Sequence, residues 1–143
     1  MSHYSAFALQ KAIYTALTNN AVLTALLGDG ADGVVSNPAQ CEELAFPYIV
    51  IGDHTARSWN TKSKSGAELT LTIHAFSESG DNEEACALLD HIIGTLDRQQ
   101  LSVSGHYLVL IRWDDFATTL IENTEERVTF HGVARFRAIT TEQ

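Results

Sequence analysis

The chain has 143 residues, 45% of them apolar, which is enough for one domain with a real core and no need of metals or disulfide staples. Its 18 Asp and Glu against 9 Lys and Arg give a formal charge of −9, and this opposes tight, sequence-independent binding to phosphate backbones over the surface as a whole. A dedicated nucleic-acid reader is therefore not expected.

In the opening segment Ala6, Leu9, Ile13, Ala16 and Leu17 recur at helical spacing, with Gln10, Lys11 and Thr15 on the other side, so the pattern predicts an amphipathic helix over residues 4–18. Asn19 and Asn20 punctuate its end. The same segment lacks a basic start followed by an unbroken apolar run, and no later run reaches the length a bilayer needs. The expectation is a chain that is neither exported by a signal peptide nor membrane-spanning. A short helical turn at 21–27 then leads into GDGADG, whose glycines and aspartates mark a loop.

From Phe46 the pattern changes to strands. Pro47 stops a helix, and Tyr48, Ile49, Val50 and Ile51 form a run that is apolar on both faces, as in an interior strand. Its partner alternates, with Leu69, Leu71, Ile73 and Ala75 on one face and Glu68, Thr70, Thr72 and His74 on the other. Between the two runs lies a polar stretch from Asp53 to Gly66, which reads as a long structureless hairpin arm. It holds Arg57, Lys62 and Lys64, three of the 9 basic residues, with Trp59 among them. Structureless loops beyond about 12–15 residues are usually functional or disordered. A tryptophan flanked by cations favours an interface anchor over a free linker, so Arg57, Trp59, Lys62 and Lys64 are the candidate interaction residues.

After Ser77, Glu78, Ser79, Gly80 and Asp81, a stripe of Ala85, Leu88, Leu89, Ile92, Ile93 and Leu96 predicts a helix of about four turns, with Asp81, Glu83 and Glu84 at its dipole-favoured start and Arg98 at its end. Two further strands are expected around His106 to Trp113 and around Arg127 to Ile139, and a third at Ala117 to Glu122. In the last long one Val128, Phe130, Ala134, Phe136 and Ala138 share a face opposite Arg127, Thr129, His131, Arg135 and Arg137. The whole reads as an α+β fold over 1–143, a single domain: a mainly antiparallel sheet of four to five strands, helices packed on one face, and the long hairpin loop.

Chemistry is harder to find. His3, His54, His74, His91, His106 and His131 show no HxxxH, HExxH or His/Cys ligand cluster. Asp90 and His91 are neighbours in sequence but about a hundred degrees apart on a helix, so they form no orienting pair. Asp114 and Asp115 read as a solvated turn after a strand, and GDGADG lacks the alternating ligands and closing glutamate of a calcium loop. No phosphate-cradling glycine loop stands between strand and helix, and no serine or cysteine nucleophile has its usual surroundings. Cys41 and Cys86 are far apart and read as reduced thiols, Cys86 as a buried small hydrophobe. No catalytic, cofactor or metal residue is assigned, and an enzyme is not expected. A small-ligand site on the polar sheet face, using His74, His131 and Arg135, is the weaker alternative.

Four segments together carry a resemblance: ALQKAIYTALTNNAVLTALLG, FPYIVIG, TKSKSGAELTLTIHAFS and GDNEEACALLDHIIGTLDRQQLSVSGH. In their order and over most of the chain, from Phe7 to Arg137, the sequence resembles the tail-completion family of long-tailed bacteriophages and gene transfer agents, which includes tail terminators. The resemblance implies a small structural subunit of the virion, made in the host cytoplasm. It implies a homo-oligomeric ring, usually of six copies, at the head-proximal end of the tail tube, with the tube protein and a neck or connector protein as partners. A neck connector or stopper between portal and tail is the alternative within the same class. A head-to-tail ring needs two unlike patches per subunit, and a basic arm on an acidic chain supplies them. An acidic lumen would let DNA pass without specific binding.

Overall fold

The computed structural model describes residues 4–36, 44–78, 81–123 and 128–143. His3, Cys41, Ser79, Gly80 and Arg127, discussed above, lie outside them, as does the side chain of Asp115. In chain order the elements are α1 (Ala6–Thr18), α2 (Ala21–Leu26), a 3-10 turn (Gly30–Gly33), β1 (Val34–Val35), β2 (Tyr48–Ser58), β3 (Gly66–Ser77), α3 (Glu83–Leu96), β4 (His106–Asn123) and β5 (Val128–Glu142). No helix among the described residues is long and apolar enough to cross a membrane.

The strands form one five-stranded sheet in the order β1-β2-β3-β5-β4. Every pairing is antiparallel except that of the two-residue β1, which runs parallel to β2 at Ile49 and Val50. The sheet is therefore the mainly antiparallel one expected, with a parallel edge. That edge was not foreseen, because two valines after a glycine loop carry no strand periodicity.

Alternation sets which face each residue takes. Along β3 every second residue from Ala67 to Ser77 is buried, and along β5 Phe130, Gly132, Ala134, Phe136 and Ala138 are buried in the same way. These faces meet the helices: α1 packs on β1 and β2, and α3 on β3, β4 and β5. The core between the layers holds Leu9, Ile13 and Leu17 of α1, Leu88, Ile92 and Leu96 of α3, and Leu69, Ile73 and Phe136 of the sheet. Each is removed from water, and burial of such a side chain contributes about 1.5–3 kcal/mol. Gly132 leaves room for α3, since a Cβ there would lie 3.0 Å from Leu89. A second, smaller cluster of Val35, Tyr48 and Val50 with Phe46 and Phe76 covers one end of the opposite face, which explains why Tyr48 to Ile51 is apolar on both sides.

Three expectations need correction. The separate strands at His106 to Trp113 and Ala117 to Glu122 are one 18-residue strand, β4, interrupted by irregularities between Leu108 and Leu110 and between Trp113 and Phe116. Asp114 and Asp115 occupy the second irregularity and so lie inside a strand and not in a turn: a bulge resets the inside-outside alternation without breaking the pairing. Cys86 is exposed, because it lies beside the buried stripe of α3 and not on it, with its Sγ 3.7 Å from Thr119 Oγ1.

Candidate interaction surface

The polar stretch after Ile51 is mostly strand. Past an irregularity between Ile51 and His54, β2 continues to Ser58, paired through Arg57 opposite Glu68 and Ser58 opposite Ala67. The structureless arm expected there shortens to a tip over residues 59–65. Hydrogen-bond pairing to β3 gives these polar residues an extended conformation that their side chains alone do not signal.

The tip is closed from within and tied to the sheet. Trp59 N–H donates to Gly66 C=O at 2.9 Å, Thr61 N–H to Lys64 C=O at 2.9 Å, and Lys64 N–H to Thr61 Oγ1 at 3.1 Å. Asn60 Oδ1 accepts from Gly66 N–H at 3.1 Å. Glu142, at the end of β5, donates its N–H to Ser65 C=O at 2.9 Å and accepts from Ser65 N–H on Oε1 at 3.2 Å. Gly66 is needed for this closure: a Cβ would lie 2.5 Å from Trp59 O and 2.8 Å from Thr140 O, both rigid backbone atoms.

All four candidate residues thus come to one end of the sheet. Trp59 is 45% exposed, and the Arg137 guanidinium stands 5.8 Å from its ring centroid, within cation–π range. Arg137 is itself held by Glu68, with Nη2 2.6 Å and Nε 2.8 Å from Oε2. Lys64 Nζ lies 5.1 Å from the centroid of Tyr107 on β4. Arg57 and Lys62 are exposed. Two of the four are therefore anchored to the sheet and two project cations outward. Arg137, Glu68 and Tyr107 complete the surface; the sequence shows Arg137 and Glu68 only as members of polar strand faces, and nothing local ties them to Trp59.

The alternative ligand residues separate. His74 Nδ1 and His131 Nε2 are 2.7 Å apart, so one imidazole N–H donates to the other ring, and His131 stacks on Phe76 at 4.3 Å between centroids. Arg135 pairs instead with Asp114, Nε to Oδ2 3.3 Å. The bond joins the two histidines within an aromatic stack on the sheet, using one ring nitrogen of each. Asp29 of the GDGADG loop accepts from Ala45 N–H at 2.9 Å, a structural role. Among the described residues no group of three or more His, Cys, Asp or Glu is arranged to hold a metal ion.

A family model described as tail completion protein gp17 matches residues 11–141. The chain belongs to the tail completion protein gp17 family. This tail completion protein is a structural protein of the virion tail, in agreement with the resemblance carried by its four sequence segments. Its fold is similar to that of a chain in the solved structure "Virion of native gene transfer agent (GTA) particle", with a TM-score of 0.79, 24% identity, and coverage of 98% of this chain and 99% of that one. A second solved chain is 10% identical at a TM-score of 0.50, covering 94% of this chain and 95% of its own. A comparison with curated proteins finds no match.

Proposed function

We propose that this tail completion protein forms a homo-oligomeric ring, of six copies, at the head-proximal end of the tail tube, where it ends tube polymerisation and joins the tail to the head. The observation that carries this reading is the β2–β3 tip: a hydrogen-bonded platform holding Trp59 half-exposed between Arg57, Lys62 and Lys64 on a chain of charge −9. A rigid aromatic anchor ringed by cations loses little entropy on docking, and it suits an acidic surface on a tube subunit or a neighbouring copy. Family membership over residues 11–141 supports the tail context. The remaining partners are the tube protein below and a neck protein above. The acidic balance of the chain suits a channel through which DNA passes without specific binding.

Electron microscopy of particles made without this gene tests the reading. Overlong tubes detached from heads are the expected result. Tails of normal length lying free beside filled heads would instead assign the protein to the neck.

A further inference from the structure

The strand β3 has unlike ends. It leaves the tip at Gly66, opposite Thr141, and finishes at Ser77, opposite Phe130 near the start of β5. A 12-residue strand rises about 3.3 Å per residue, which sets the two ends roughly 36–40 Å apart. The tip end is the basic one, where Trp59 stands half-exposed beside the exposed Arg57, Lys62 and Lys64.

The far end is acidic and has an apolar centre of its own. There α3 starts soon after β3 stops, and Ser77 Oγ donates to Glu84 Oε1 at 2.7 Å, which ties the helix start to the strand end. α3 contains Glu83, Glu84 and Asp90 and no Lys or Arg. Glu83, Cys86 and Asp90 are all exposed, and their spacing places them on one stripe of the helix. Beside that stripe lies the end of the hairpin formed by β4 and β5: Cys86 Sγ is 3.7 Å from Thr119 Oγ1, and Leu89 packs over Gly132. Beyond these contacts Ile121 is 63% exposed and Val128 50% exposed. Ile121 pairs with Phe130 and Val128 precedes Phe130 by two residues, so both belong to the face of the sheet on which α3 lies.

The two ends are complementary. One is an aromatic anchor rimmed by cations, and the other is a pair of exposed aliphatic side chains rimmed by carboxylates. We propose that the tip of one copy docks on the α3 start and hairpin end of the next copy, head to tail; this rests on the ring reading above and names the acidic surface that the tip takes. Charge selects a second copy as the occupant, because every copy carries both halves of the contact. Since the halves stand at opposite ends of one strand, the contact repeats from copy to copy and closes as a ring or runs on as a filament. Trp59 against Ile121 and Val128 supplies the water-excluded centre, and the charges around it set the partner and the orientation.

The test uses particles whose copy of this chain carries Cys41→Ser and Ser63→Cys, so that one thiol stands at the exposed middle of the tip and the native Cys86 at the acidic end. A short bis-maleimide is added, and the protein is resolved by denaturing electrophoresis. A ladder of covalent multimers of this chain is expected, with no ladder from Cys41→Ser alone or from the version that also carries Cys86→Ser. Protein present in particles with normal tails but giving no ladder would overturn the docking and leave the ring reading standing. A covalent product with a different tail protein would do the same, by giving the tip another partner. A product that stops at the dimer with reagent in excess would overturn it too, by showing a closed pair. If the parent protein is absent from tails, or if its deletion leaves them normal, the ring reading falls and this contact with it.

Discussion

Trp59 shows how one side chain divides between folding and assembly. Its ring lies against Arg137 and its backbone closes the hairpin, yet 45% of it is exposed. Trp59→Ala keeps the backbone bonds and gives up a cation–π contact of about 0.5–1 kcal/mol, so the monomer is expected to melt within a few degrees of the parent while incorporation into tails falls. Thermal melting beside quantitative blotting of particles separates the two effects, and a variant that fails to fold would move Trp59 into the core. Gly66 is the opposite case, because its missing Cβ would meet backbone oxygens at 2.5 and 2.8 Å. Gly66→Ala is expected to cost about 1–3 kcal/mol by opening the tip, read as a lower denaturation midpoint at unchanged slope.

Among the elements, α2 is too short to hold itself together and depends on Asn20. That residue's Oδ1 accepts from Val22 and Leu23 N–H, both at 3.1 Å, and its Nδ2 donates to Thr95 Oγ1 at 2.8 Å, which ties the start of α2 to α3. Asn20→Ala removes both the cap and the tie and is expected to destabilise by roughly 1–2 kcal/mol; Asn20→Asp, which keeps the cap and loses the donor, should recover part of this in a urea titration. The helices and central strands are legible in the sequence, because 3.6- and 2-residue periods over Ala6–Thr18, Glu83–Leu96, Gly66–Ser77 and Val128–Glu142 need no distant partner to be read. β1 and the outer half of β2 were not legible, since pairing and not side-chain pattern makes those residues strands. The join across Asp114 and Asp115 was hidden for a related reason: a bulge breaks the alternation that a reader counts.

On the scale of the whole molecule, the tip between β2 and β3 gathers Arg57, Trp59, Lys62 and Lys64 at one end of the sheet. Reversing charge at Arg57, Lys62 and Lys64 together, each to Glu, is expected to leave the circular-dichroism spectrum of the monomer intact and to lower its melt by only a few degrees, since these side chains are exposed and the losses are the Lys64–Tyr107 contact and a Glu set opposite Glu68. Assembly onto tails should drop at least tenfold, because like charges now face an acidic partner. Added salt would restore part of the loss if the contact is electrostatic, and an unchanged tail yield would remove the tip from the interface. Of the candidate site, the four residues were readable as a basic, tryptophan-bearing stretch, but their support by Arg137, Glu68 and Tyr107 was not. Arg137 and Tyr107 stand far away in the chain and meet Trp59 and Lys64 only once β3, β5 and β4 are laid side by side, which is also what brings Glu68 to Arg137.

By itself the sequence determined the α+β class, the buried face of each long element, the acidic balance and the tail-completion resemblance, since all of these rest on local periodicity, composition or the order of segments. Only the tertiary structure decided that the polar arm is paired strand with a closed tip, that His74 bonds His131 while Arg135 turns to Asp114, and that Cys86 faces outward. It also decided which strand stands at the edge. Each of these depends on a partner brought near by strand order, and strand order is a property of the assembled core: it is set by which faces bury together, and no single stretch of the chain carries it.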